Sequence, residues 1–137
     1  MGGIELVRAS DVEKRIKFLV SVLGMSHIDP VRVRCFRSLG SSSRARARIW
    51  SFPKIWQMAL ETTPVYCLEV LSENFDGLSG EEQERVLIHE LIHIPKNFSG
   101  ALVPHRSGRR KSFRHYHDEV EGLFNKLTSY SYQEEGG

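Results

Sequence analysis

The stretch His89-Glu90-Leu91-Ile92-His93 constrains this chain more than any other part of its sequence. Two histidines four residues apart lie on one face of a helix, so both imidazoles can reach a single metal ion. Zinc accepts imidazole nitrogens at about 2.0–2.1 Å, and a catalytic zinc site combines three protein ligands with one position for water. Glu90 stands beside the first histidine, where it can take a proton from that water. The pattern therefore predicts one Zn²⁺ held by His89 and His93, with Glu90 as general base.

The residues around the motif favour a capped and largely buried helix over roughly 80–94. Ser79 is expected to be the N-cap, and Glu82 stands where a capping box places its acidic residue. Residues 86–88 are apolar, and burying two histidines and a glutamate among such residues is unfavourable unless they have partners. Pro95 ends the helix. The alternative interpretation is an amphipathic helix that carries two histidines by chance, and it leaves these polar groups without a partner.

Length and composition indicate one soluble domain over residues 1–137. The chain is 40% hydrophobic and 26% charged, as globular proteins usually are. It has no apolar run of about 18 residues, which excludes a membrane span, and its first residues lack the layout of a signal peptide. The two cysteines, Cys35 and Cys67, each lie in an apolar run and are expected to be buried free thiols. These features together predict a cytoplasmic protein.

Two stretches of alternating residues are predicted to form a β-hairpin. Residues 31–37 and 44–50 alternate between apolar residues and arginines, and a Gly/Ser cluster over 40–43 separates them. The outer face of the hairpin would carry five arginines, although the net charge of the chain is only +2. Charge that protects a sheet edge from aggregation is one interpretation. Binding of phosphates or acidic substrates, including a nucleic-acid partner, is the other.

The remaining segments complete an α+β domain. Apolar periodicity predicts a first helix over 10–23, a short helix over 53–61 with Trp56 as a core anchor, and a last helix over 113–130. Residues 65–71 are rich in β-branched and aromatic residues and predict a third, more buried strand. Because the strands precede the metal helix as a group, we expect a small three- to four-stranded sheet packed on helices rather than a doubly wound sheet.

The third metal ligand cannot be chosen from the motif alone. A metzincin-type continuation is excluded, because Lys96 and Ser99 stand where that pattern has glycine and histidine. On a helical wheel His115 points away from the apolar stripe of the last helix, whereas His117 lies at its border. The candidates that remain are His105 in the loop after the metal helix, His117, and a glutamate such as Glu119 or Glu121.

The stretch from His89 to His105, HELIHIPKNFSGALVPH, resembles the archaeal and phage metallopeptidases, a family of minimal single-domain zincins. Its members have HELLHIP, a Phe-Ser-Gly segment and a Pro-His pair before the last helix. Residues 42–48, 53–57 and 66–75 also resemble the family, so the likeness extends from about residue 30 onward. This chain departs from the pattern in a basic segment over 106–114, after which His117-Asp118 resembles the His-Asp of phage members.

The resemblance implies a zinc-dependent peptidase with a small sheet backed by helices. It implies His89 and His93 as metal ligands and Glu90 as general base, and by position it nominates His105 as the third ligand. Tyr116, Arg106 and His115 are candidates for stabilising the oxyanion. Two other functions stay open from the residues themselves. One is a nucleic-acid-associated protein, or a protease of DNA-bound proteins, with a zinc site and a basic hairpin face. The other is a purely structural zinc module.

Overall fold

Over the described residues, the fold is a four-stranded sheet with five helices, in the order given below. A computed structural model describes the backbone of residues 3–104 and 112–136, and the side chains of 3–104 and 116–130. The strands are β1 (Glu5–Arg8), β2 (Val33–Leu39), β3 (Ala47–Trp50) and β4 (Tyr66–Leu71). The helices are α1 (Ser10–Val22), α2 (Lys54–Leu60), α3 (Ser72–Phe75), α4 (Gly80–Ile92) and α5 (Ser112–Gly136), and a single 3₁₀ turn spans Pro30–Arg32. The predicted α+β class is confirmed.

The strand order β1-β2-β4-β3 shows that the predicted hairpin is wrong. β4 lies between β2 and β3, parallel to β2 and antiparallel to β3. The physical reason is burial: five of the six β4 residues are buried, whereas every residue of β3 is at least partly exposed. A strand that is apolar on both faces is favoured at the centre of a sheet. β1, which the sequence analysis missed, pairs with the other edge of β2 and is exposed along its whole length.

One face of the sheet carries the hydrophobic core. Leu68 in β4 lies beside Cys35 of β2 and Ile49 of β3, so these three side chains share a face. Leu68 and Cys35 belong to a single cluster of buried residues that also includes side chains of α1, α4 and α5. Phe75 in α3 is also buried in this cluster. The core therefore fixes α4, the helix of the histidine motif, against the sheet.

Most of the arginines assigned to the hairpin have partners within the protein. Arg44 is exposed. The other four are paired: Arg32 with the carbonyls of Thr63 and Pro64, Arg34 with Glu13 (3.5 Å), Arg46 with Glu82 (3.3 Å) and Arg48 with Glu69 (3.2 Å). These contacts join the strands to neighbouring elements, so the arginines contribute to the structure of the sheet.

α2 differs from its prediction in orientation. Its bounds agree with the sequence pattern, but Trp56 is 55% exposed and is not a core anchor. Gln57 is the residue of this helix that is buried. Its amide donates hydrogen bonds to the carbonyls of Phe52 (3.0 Å) and Ser99 (2.8 Å). A polar group with two partners can be buried where a tryptophan was expected.

Both cysteines are free, as predicted, with Cys35 buried and Cys67 partly exposed. Within residues 3–104 and 112–136, no helix is long and apolar enough to cross a membrane.

Candidate metal centre

Helix α4 positions the motif through its cap and its buried face. The Ser79 side chain accepts a hydrogen bond from the backbone N–H of Glu82 (3.2 Å), which confirms the predicted N-cap. Leu87, Ile88 and Leu91 are completely buried and anchor the helix in the core. His93 is the C-cap residue, and the helix ends before Pro95. The two histidines therefore project from the last turns of a helix that is fixed along its length.

The Nε2 atoms of the two imidazoles lie next to each other. The two Nε2 atoms are 3.4 Å apart. Two nitrogens that bind one tetrahedral zinc at about 2.0–2.1 Å lie about 3.3–3.4 Å from each other, since the angle at the metal is near 109°. The separation of His89 and His93 is thus the one that a shared metal ion needs, and these donors fit zinc.

His93 is oriented by a contact on the other side of its ring. Its Nδ1 lies 2.5 Å from the carbonyl oxygen of Val103, and the backbone N–H of Val103 donates to the His93 carbonyl (2.7 Å). With the proton on Nδ1 donated to this carbonyl, Nε2 keeps its lone pair for a metal. Such a partner fixes the tautomer and the ring plane of a ligating histidine. No sequence pattern marks a backbone carbonyl for this role, so the sequence analysis missed Val103.

Glu90 is buried and lines the same cleft as His89. Burial raises the pKa of Glu90 to about 7, and a hydrogen bond from the backbone of Ile49 opposes that rise. Ile49 belongs to β3, the strand at one edge of the sheet. A carboxyl group with its pKa near neutrality can both accept and return a proton, as general acid–base catalysis requires.

Tyr116 of α5 covers the two histidines. Its ring stacks on His93 with the centroids 5.4 Å apart and lies 6.3 Å from His89. Its hydroxyl donates to the carbonyl of Pro104 (2.5 Å). The oxyanion candidate Tyr116 is thus close to both histidines, and its hydroxyl contacts the loop. The candidates Arg106 and His115 lie outside the described side chains.

The candidates for the third ligand differ in their exposure and in their contacts. Glu121 accepts a hydrogen bond from Nε of Arg85 (2.9 Å), which commits its carboxylate to an ion pair. His117 and Glu119 are exposed. Among side chains 3–104 and 116–130, no group of three or more metal-binding residues is found. His105, the candidate nominated by the resemblance, lies outside the described residues.

A cleft beside the motif is lined by His89 and Glu90. Its volume is about 1150 Å³, and its walls come from the start of β3 and from helices α4 and α5. Tyr116, Arg44, Arg85 and His117 also line it. The cleft is large enough for several residues of a polypeptide and brings them to the carboxyl group of Glu90.

A family model described as "Putative phage metallopeptidase" matches residues 4–127. No curated protein and no solved structure matches the chain. The match begins just before β1 and ends within α5, so it includes the sheet and the motif helix.

Proposed function

Because the chain belongs to this phage metallopeptidase family, we propose that it is a zinc-dependent peptidase. A metallopeptidase implies a bound metal ion and a peptide or protein substrate. The metal we propose is one Zn²⁺, held by His89, His93 and His105. The observation that carries the proposal is the 3.4 Å separation of the two Nε2 atoms, with the buried Glu90 lining the same cleft as His89.

The position of Pro104 supports His105 as the third ligand. Val103 and His93 share two hydrogen bonds, one from the His93 ring to the Val103 carbonyl and one from the Val103 N–H to the His93 carbonyl. The Pro104 carbonyl accepts a hydrogen bond from the Tyr116 hydroxyl. Val103 and Pro104 directly precede His105 in the sequence, so these contacts are made by the residues next to this candidate. His117 is exposed and Glu121 is paired with Arg85, which makes both weaker candidates.

Catalysis would divide between the metal and Glu90. A bound Zn²⁺ supplies Lewis acidity, which polarises the scissile carbonyl and lowers the pKa of a water molecule. Glu90 takes a proton from the attacking water and delivers it to the leaving amine. Its burial suits this exchange, because burial raises the pKa of Glu90 to about 7. Tyr116 shields one side of the histidine pair from solvent.

The outer edge of β3 offers a place for the substrate backbone. The Arg46 carbonyl accepts a hydrogen bond from Leu71, so residue 46 turns its backbone groups toward β4. Backbone groups alternate in direction along a strand, and those of Ala47 and Ile49 therefore point away from β4. Because the Ile49 N–H is donated to Glu90, the groups that a peptide can pair with are those of Ala47 and the Ile49 carbonyl. An extended peptide can add to such an edge by β-augmentation. The hydrogen bond between Ile49 and Glu90 brings this edge to the catalytic carboxyl group.

Zinc content and hydrolysis, measured on the same variants, test the proposal. We expect about one zinc per wild-type chain, and a loss of at least tenfold in zinc affinity in His105→Ala. His117→Ala is the matched control, since its side chain lines the same cleft. Glu90→Gln should retain zinc and lose at least 100-fold in the rate of peptide hydrolysis, within the range for general acid–base catalysis.

Three results would contradict the proposal. Full zinc occupancy in His105→Ala would show that His105 is not a ligand. Loss of zinc in His117→Ala would make His117 the third ligand instead. An unchanged hydrolysis rate in zinc-loaded Glu90→Gln would rule out Glu90 as the base. Melting curves of each variant separate these results from unfolding.

A further inference from the structure

The exposed surface of α2 is unusual because the polar and apolar sides of this helix are reversed. Gln57 is buried, while four large apolar side chains face solvent: Ile55 (72% exposed), Trp56 (55%), Met58 (68%) and Leu60 (59%). At 100° per residue, these four and Ala59 occupy an arc of about 200° on the side away from Gln57. A surface helix normally turns such an arc toward the core. The arc therefore indicates a binding surface.

The helix is held firmly in this orientation. Gln57 bonds to the carbonyls of Phe52 and Ser99, and the Phe52 N–H donates to the Gly100 carbonyl (2.7 Å). The end of the helix is fixed by Glu61, which has a left-handed backbone (φ 51°). The exposure of the apolar arc is therefore built into the fold and does not arise from a loosely attached helix.

The position of α2 relates it to the substrate edge. β3 ends at Trp50, whose side chain is 53% exposed, and α2 begins at Lys54. The six residue-to-residue steps from Ile49 to Ile55 span at most about 20 Å. A bound strand advances about 3.3 Å per residue, so a peptide that runs along β3 past Glu90 can reach α2 within about six residues.

The size and charge of the surface indicate its occupant. Each of the four side chains exposes on the order of 100 Å², roughly 400 Å² in all, a patch of the size that marks interaction sites. A stable dimer needs about 800 Å² from each partner, so a second copy of this chain would be weakly held.

Helices that lie on membranes carry basic residues along a polar face. The charged residues at α2 are only Lys54 and Glu61. A single apolar segment of an extended polypeptide fits this surface.

We propose that the exposed face of α2 is a docking surface for an apolar segment of the protein substrate, which it holds while adjacent substrate residues lie along β3. The proposal rests on the peptidase function and specifies its substrate class. Preferred substrates are unfolded or extended polypeptides with an apolar segment within about six residues of the scissile bond.

A binding experiment that needs no hydrolysis tests the docking surface. The probe is a fluorescent 20-residue peptide with a Leu/Ile/Val segment, and its matched partner carries serines in that segment. Fluorescence anisotropy measures binding to Glu90→Gln, alone and combined with Ile55→Ser/Met58→Ser. Leu6→Ser/Val31→Ser is the control pair, because Leu6 (61%) and Val31 (65%) are similarly exposed elsewhere on the protein. We expect the α2 pair to raise Kd at least tenfold for the apolar peptide only, and the control pair to leave Kd within twofold.

A kinetic experiment with Glu90 intact provides the second measurement. We expect Ile55→Ser/Met58→Ser to raise KM for the long apolar peptide at least tenfold with kcat unchanged. A short polar peptide around the same scissile bond should be cleaved as by wild type.

Equal losses on both peptides would overturn the proposal, as would unchanged binding in the anisotropy experiment. A dimer that dissociates in the α2 variant, with peptide binding unchanged, would assign the surface to a second copy and also overturn it. If wild type cleaves neither peptide, the peptidase function fails, while the anisotropy result still decides whether α2 binds apolar polypeptide.

Discussion

Replacing Gly100 with alanine tests how the loop after the metal helix is held. Gly100 has a φ of +95°, a backbone conformation that side chains rarely adopt. A Cβ at this position would collide with the carbonyl oxygen of Phe52 and come within 2.6 Å of Nε2 of Gln57. The first obstacle is backbone and cannot rotate away. Gly100→Ala must therefore displace either the loop or the start of α2.

The size of the effect follows from the contacts that would be lost. The left-handed backbone costs alanine about 1–2 kcal/mol. Separating the loop from α2 breaks the bond from Phe52 to Gly100 and weakens those of Gln57, each about 0.5–1.5 kcal/mol. The smaller entropy of alanine in the unfolded chain returns about 0.4–1 kcal/mol. We expect a net loss of about 2–4 kcal/mol, or roughly 10 °C in Tm for a domain of this size.

Urea denaturation of the metal-free protein measures this loss directly. Gly122→Ala is the control, because Gly122 lies within α5 and a Cβ there would meet nothing within 4 Å. Alanine in a helix interior should stabilise the protein by about 0.5–1 kcal/mol, so the two substitutions are expected to act in opposite directions. A Gly100→Ala variant within about 0.5 kcal/mol of wild type would refute the close approach of the loop to Phe52.

Two further predictions concern thiol reactivity and pH. Burial raises the pKa of the Cys35 thiol to about 12. A thiol reagent at pH 8 should therefore modify Cys67 first and Cys35 only on unfolding. Rapid labelling of the folded Cys67→Ser variant would contradict this prediction. The hydrogen-bonded Arg37 guanidinium lowers the pKa of Asp11, so this pair contributes stability above the unfolded pKa near 4 and loses it as pH falls through the folded pKa. Asp11 is largely exposed, so Asp11→Asn should lower the free energy of unfolding by less than about 1 kcal/mol at pH 7. Urea titrations measure this loss. A difference between variant and wild type that persists at pH 2 would contradict the assignment to the Asp11–Arg37 pair.

Features that depend on nearby residues were predicted well from the sequence. The cap at Ser79 and the apolar residues of α4 are local, and the helix forms where they indicate. The pairing of His89 and His93 follows from helical periodicity alone, because four residues make about one turn. The fold class was also predictable, since it needs only the number and grouping of the elements.

Features that depend on distant residues were predicted poorly. Alternation along 31–37 and 44–50 predicts two strands but not their neighbours, and the hydrophobic β4 takes the central position between them. The orientation of α2 depends on Ser99, which lies 42 residues from Gln57. Apolar residues in a short helix normally indicate a core face, and so Trp56 was misassigned. Such a departure from local consistency is expected at functional surfaces, which agrees with a binding role for α2.

The candidate metal centre is therefore a helix together with a loop, and the loop is held by contacts that the motif does not contain. Tyr66 accepts a hydrogen bond from the Gly100 N–H (2.8 Å) and donates to the Ala101 carbonyl (2.8 Å), and the same loop brings Val103 to His93. Gly100 also contacts the start of α2, so one segment positions both the histidine and the proposed docking surface. A displacement of this loop should consequently reduce zinc affinity as well as stability, since loss of a partner that orients a ligand typically weakens metal binding about 10- to 100-fold. Chelator competition on Gly100→Ala and Gly122→Ala would measure that coupling, and equal zinc affinities in a folded Gly100→Ala protein would separate the loop from the metal site.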